Sequence, residues 1–172
     1  MPEWVKIVVS SVAGMIAGIV AEPLKQHLLL KLKRRRIRKA LTKELWYVHN
    51  LCLDLLDTAK GSPRIAKKTT MIFTFNNLRM KAFEHFYQYE KEAIFQIDDS
   101  ESLVSTFEGL DDMRETFVSG KETFGRAVCF FALAAQQELE KRGYHLRRFP
   151  TGPEAEEAID VINKVENSLG PG

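Results

Sequence analysis

Chemistry in a chain of 172 residues would have to come from a small set of side chains: four histidines (His27, His49, His85 and His145), two cysteines (Cys52 and Cys129) and 23 carboxylates. Histidines and carboxylates hold metals or move protons when they converge, and helical di-metal proteins bring them together through a Glu-x-x-His pair. The chain contains no such pair, and its histidines lie far apart along it. GxGxxG, GxSxG, HExxH and CxxC are all missing, and Gly120-Lys121 is not a phosphate-binding loop because Glu115 stands five residues before Gly120. Glu84-His85 sits among Phe83, Phe86, Tyr87 and Tyr89. Aromatic residues at helical spacing read as core rather than as a pocket. Arg147 and Arg148, beside Tyr144 and His145 on a loop after Gly143, offer a weak anion site; exposed loop bases are ordinarily solvated. The expectation is therefore a protein that is not an enzyme and has no metal or cofactor. The alternative is a helical-bundle hydrolase or metal protein drawing carboxylates from separate helices.

The residues that do stand out are cationic. Residues 31–43 (KLKRRRIRKALTK) carry eight bases and no acid, whereas residues 44–172 carry 15 bases and 21 acids, a net of −6. The overall balance of +2 argues against a uniformly basic nucleic-acid binder, and it conceals this segregation. Lys31, Lys33, Arg34, Arg35, Arg36, Arg38 and Lys39 fall on every side of a helix at 100° per residue, so the run is expected to be wet or to touch anions. Anionic lipid headgroups are the first expectation, each base near such a surface contributing about 1 kcal/mol. A nucleic-acid backbone is the second, weakened because no aromatic residue interleaves the run for stacking. A merely solvated helix surface is the third.

What precedes the run shapes that preference. Trp4 to Ala21 (WVKIVVSSVAGMIAGIVA) is the most apolar stretch, and Ile7 to Ala21 runs 15 residues without a charge. At about 1.5 Å per residue those 15 cover roughly 22 Å, short of the roughly 30 Å hydrocarbon layer. Counting from Trp4, with Lys6 snorkelling outward, gives 18 residues, the lower end of a spanning helix. The reading favoured is a single transmembrane anchor over residues 1–23, with the basic flank holding the carboxyl-terminal part in the cytoplasm and the amino terminus outside. A signal peptide is disfavoured by the start MPEWVK and by the lack of a small-x-small end at Ile19-Val20-Ala21. A buried helix of a soluble fold is the remaining alternative. Ser10, Gly14 and Gly18 recur every four residues and predict a face on which spans associate into a homo-oligomer. Pro23 predicts a kink or break.

The elements that must position these groups read as helices. Ile37, Leu41, Leu45, Val48, Cys52, Leu55 and Ala59 advance by alternating threes and fours, a buried helical stripe. Gly61-Ser62-Pro63 predicts a stop and a new helix from Pro63. Lys68 to Phe75 (KTTMIFTF) has strand-like composition but no partner strand, and is expected as helix. One amphipathic helix is predicted through Leu78, Ala82, Phe86, Tyr89 and Ala93. Another, opening at Asp98-Asp99-Ser100, is predicted through Leu103, Phe107, Leu110, Met113 and Phe117. Ser119 with Glu122, and Thr151 with Glu154, have capping-box spacing and predict two further starts. The stretch Ala127 to Ala135 (AVCFFALAA), apolar on all sides, is expected at the centre of the bundle, with Cys129 buried. Ala158, Ile159, Ile162 and Val165 mark the inner face of the last helix. Two cysteines are too few for a disulfide framework and fit a reducing compartment.

Together these features predict an all-α protein: an anchor (1–23), a basic juxtamembrane helix (24–43) and an acidic bundle of about five helices (44–172). Its expected role is that of a membrane-anchored binding or structural module with lipid and an unidentified protein as partners. A membrane-perturbing effector and a soluble basic-helix nucleic-acid binder are the alternatives.

Overall fold

The computed structural model describes residues 2–61, 65–97 and 100–168; within these, the side chains of residues 5, 7–10, 12–14, 16–20, 65–68, 71 and 168 are not described. Among the described residues the protein is all-helical, with seven helices and no strand: α1 (Glu3–Lys60), α2 (Ile65–Asn76), α3 (Lys81–Tyr89), α4 (Lys91–Phe95), α5 (Ser100–Val118), α6 (Phe124–Lys141) and α7 (Pro153–Ser168). Ser62, Pro63, Asp98 and Asp99, to which two of the predicted helix starts were assigned, lie outside the described residues.

α1 is one uninterrupted helix of 58 residues, roughly 87 Å long at about 1.5 Å per residue. It runs through residues 23 and 43, the boundaries expected from composition. Pro23 lies inside it and does not end it. Proline removes one backbone donor and crowds the turn before it, but helix flanks it on both sides and carries it through. Among the described residues no helix is long and apolar enough to cross a membrane. The single-pass anchor, with its outside amino terminus and cytoplasmic carboxyl-terminal part, is therefore withdrawn. The charge-free run is only 15 residues, about 22 Å against about 30 Å, and its helix continues directly into the basic stretch. Ser10, Gly14 and Gly18 lie outside the residues whose side chains are described.

The carboxyl-terminal part of α1 carries the core stripe. Ile37, Leu41, Leu45, Val48 and Cys52 are fully buried and Leu55 nearly so, as their spacing predicts. Ahead of Ile37 the helix leaves the bundle: every residue from 21 to 33 is exposed. α6 lies at the centre, packed against α1, α5 and α7, and buries Ala127, Val128, Cys129, Phe131, Ala132 and Ala135, whereas Phe130, expected inside with them, is exposed. Phe75 of α2 meets Phe124 and Phe131 edge-on, at 5.2 and 5.3 Å between ring centres. Phe83 of α3 stacks on Phe107 of α5 at 4.7 Å. Such pairs add about 0.5–1.5 kcal/mol each beyond area burial.

Several boundaries differ from expectation, each for a local reason. The predicted helix through Leu78 and Ala93 is shortened and divided: α3 begins only at Lys81, where the Glu44 carboxylate of α1 accepts the Ala82 and Phe83 amides at 2.9 and 3.0 Å, and the run breaks at Glu90 (φ -135°), which separates α3 from α4. Tyr89, expected inside, is exposed. α6 starts at Phe124 and not near Ser119. The Ser119 hydroxyl donates instead to the Thr116 carbonyl, Gly120 at φ 72° closes α5, and Thr123 accepts the Arg126 amide as the cap. α7 begins at Pro153, two residues after Thr151, the expected cap, and is preceded by Gly152 at φ 61°. His49, buried on α1, spans two neighbours: one ring nitrogen lies 3.2 Å from the Ala132 carbonyl oxygen and the other 2.9 Å from that of Arg147.

Candidate anion-binding face

The basic run does not turn all its sides to solvent. The inner stripe of α1 continues backwards from Ile37 through Arg34 and Leu30, so Arg34 occupies a core-stripe position where the bundle ends. The end is made by α4 and the turn after it, where Ile94 and Ile97 are buried. Arg34 is half-buried there, and its Nη2 donates to Gln96 Oε1 at 2.7 Å. Its Nε is shielded from solvent and has no acceptor. Lys33, one residue earlier, pairs with Glu90 at 3.3 Å. Two of the seven predicted contact residues are thus drawn onto the bundle, because a helix that buries Ile37 must bring its neighbours on the stripe to the rim.

Around Arg34 lies a cavity of about 300 Å³, lined by Lys31, Arg35 and Arg38 of the run, with His27 and Gln96. Leu30 and Ile97 give it apolar walls. The positions 27, 31, 34, 35 and 38 recur at helical spacing and so share one face of α1. No carboxylate among the described residues lines the cavity. Arg36 and Lys39 are exposed and lie elsewhere around the helix. His27 and Gln96 were missed by sequence reasoning. His27 could have been found by extending the inner stripe towards the amino terminus, but Gln96 is brought in by tertiary packing and has no local signal.

A second face adjoins this one. At 100° per residue, Leu24, Leu28 and Leu32 fall within about 100° of arc together with Lys25, Arg35 and Lys39. The leucines are 57%, 52% and 60% exposed, which is unusual for side chains that gain about 1.5–3 kcal/mol on full burial. The projecting half of α1 thus offers apolar and cationic groups side by side.

The other groups with chemical potential are committed to structure. Arg147 forms a double hydrogen bond with Asp57, at 2.6 and 2.7 Å, which holds the Asp57 carboxyl below its usual range and pushes the Arg147 guanidinium up. Arg148 pairs with Glu140 at 3.2 Å. The loop expected as a weak anion site therefore has carboxylate partners of its own. Glu44 is spent capping α3, and burial raises its carboxyl above the usual value despite the two amide bonds. Burial likewise pushes both cysteine thiols up, so neither offers a ready thiolate. Glu138, buried, receives Arg142 Nε and Nη2 at 2.9 and 2.7 Å and the Ser102 hydroxyl at 2.7 Å. His85 lies exposed against Phe86 and Tyr89. Among the described residues, no group of three or more His, Cys, Asp or Glu side chains is placed to hold a metal ion. No protein family, curated protein or solved structure matches the chain.

Proposed function

We propose that the protein is a binding module rather than an enzyme, a helical bundle whose projecting arm, the amino-terminal half of α1, docks onto an anionic lipid surface from the side without crossing it. The observation that carries this reading is the face bearing exposed Leu24, Leu28 and Leu32 among Lys25, Arg35 and Lys39. An amphipathic helix lying in a bilayer interface sinks its apolar side chains below the headgroups while its cations stay at headgroup level. Each cation near the surface contributes about 1 kcal/mol, roughly fivefold in affinity. A nucleic-acid backbone would engage the cations and leave the leucines in water, so it explains half of the face.

The test is co-sedimentation of the full chain with phosphatidylserine/phosphatidylcholine vesicles, with pure phosphatidylcholine vesicles, and with a DNA duplex. The reading predicts retention on the anionic vesicles that falls with salt and little on the neutral ones. A Leu24→Ser, Leu28→Ser, Leu32→Ser variant should bind the anionic vesicles at least tenfold more weakly. Unchanged vesicle binding by that variant, or strong DNA retention with no vesicle binding, would reject the reading.

A further inference from the structure

We infer that the cavity where the arm meets the bundle is a binding site for a phosphate monoester. Three features point to that ligand class. The lining is cationic: Lys31, Arg34, Arg35 and Arg38, with His27, and no carboxylate among the described residues to neutralise them. The cavity wall also holds Arg34 half-buried, its guanidinium anchored through Nη2 to Gln96 Oε1 at 2.7 Å. Gln96 is pre-set as well. That same bond fixes its side-chain amide and leaves the NH2 group without an acceptor among the described residues.

The count of donors decides between anions. A carboxylate or a phosphate diester brings one negative charge, whereas a monoester brings about 1.5 to 2 at neutral pH and three strongly accepting oxygens. The Gln96 amide and the guanidinium groups of Arg35 and Arg38 supply donors for three oxygens, and planar guanidinium groups suit phosphate geometry. Among the described residues no Phe, Tyr or Trp lines the cavity, so the large ring faces that usually carry nucleobase stacking are missing. A volume of about 300 Å³ is at the lower end of small-ligand sites and fits a phosphorylated polar headgroup rather than a dinucleotide. The monoester has two sources, a lipid headgroup or a free phosphorylated metabolite; the inference rests on the docking reading only for the first.

The experiment uses the full chain and two arms. In solution, calorimetry compares glycerol 3-phosphate with dimethyl phosphate; on vesicles, phosphatidic acid is compared with phosphatidylserine at matched surface charge. The expected result is saturable one-to-one binding of glycerol 3-phosphate, at least tenfold tighter than dimethyl phosphate, and at least a fivefold preference for phosphatidic acid. Arg34→Met and Gln96→Leu should each remove both preferences while binding to phosphatidylserine stays within twofold. Gln96 is exposed, so its variant keeps the test valid should Arg34→Met lower the melting temperature. Binding of glycerol 3-phosphate without any vesicle binding supports the site with a soluble ligand and rejects the docking reading. Vesicle binding with equal affinity for the two lipids, and no preference for the monoester in solution, overturns the site and leaves the docking reading standing. A monoester preference that survives both variants also overturns it.

Discussion

The Glu138–Arg142 pair is where the bundle's stability is most exposed to a single change. Both side chains are almost completely enclosed, at 2% and 3% exposure. Glu138 Oε1 takes two hydrogen bonds from Arg142, Oε2 takes the Ser102 hydroxyl, and that hydroxyl in turn accepts from Lys141 Nζ at 3.0 Å. Glu138→Gln keeps the shape and deletes the charge, leaving a guanidinium enclosed without a counter-ion. Such a loss costs about 3–5 kcal/mol, a large share of the roughly 5–15 kcal/mol that holds a domain folded. Removing both charges should cost much less. Arg142 Nη1 is already buried without an acceptor, so Arg142→Met takes away an existing penalty together with the charge, and the hydroxyl of Ser102 keeps Lys141 as a partner. The double variant Glu138→Leu, Arg142→Met is therefore expected to be more stable than Glu138→Gln by at least about 2 kcal/mol. Urea unfolding reads this as a shift of midpoint at constant slope. A Glu138→Gln cost below about 1 kcal/mol, or a double variant no better than that single one, would refute the argument that the pair matters through burial of charge.

Three further outcomes follow from the packing. A methyl group on Gly125 would collide with the Ile159 carbonyl oxygen and come within 2.8 Å of Asn163 Oδ1, so Gly125→Ala should destabilise by about 1–3 kcal/mol and loosen α7 first, visible as faster amide exchange there. Asp57 titrates below its ordinary value of 3.8 because of Arg147, so its contribution is complete above that value and is lost as the pH falls through the lowered one. Asp57→Asn should cost under about 1 kcal/mol at pH 7, the pair being exposed, and acid unfolding curves of the two proteins should converge below pH 3.8. Cys52 and Cys129 are buried and free, so a thiol reagent such as DTNB should label both only at the rate of unfolding, and rapid native labelling of Cys52 would contradict its enclosure.

The helical class and the core stripe were legible because they depend on periodicity alone: Ile37 to Leu55 had to share a face, and most of Ala127 to Ala135 had to turn inward, although Phe130 does not. What escaped were features set by residues distant in sequence. Glu44 caps α3 from 38 residues away, which delays the start of a run that looks continuous from Leu78, and Thr123 displaced Ser119 as a cap because Ser119 had already bonded back to its own helix. The hydropathy of the apolar amino terminus points to an anchor, but the segment is the opening of a helix that continues past Pro23 into charged sequence. Spacing alone spreads the basic run evenly around its helix, yet Arg34 stands in register with Ile37, and that register turns a stretch of cations into a lined cavity. Gln96, which completes it, is placed by the seating of α4 on α1.

The central claim is that the face of α1 around residues 24–39 is the surface through which the protein meets its anionic target. Amide hydrogen exchange of the full chain, with and without phosphatidylserine-containing vesicles, tests it segment by segment. The account predicts that exchange slows across residues 24–39 and stays unchanged in α6. Protection confined to the bundle helices, with residues 24–39 exchanging as in the free protein, would contradict it.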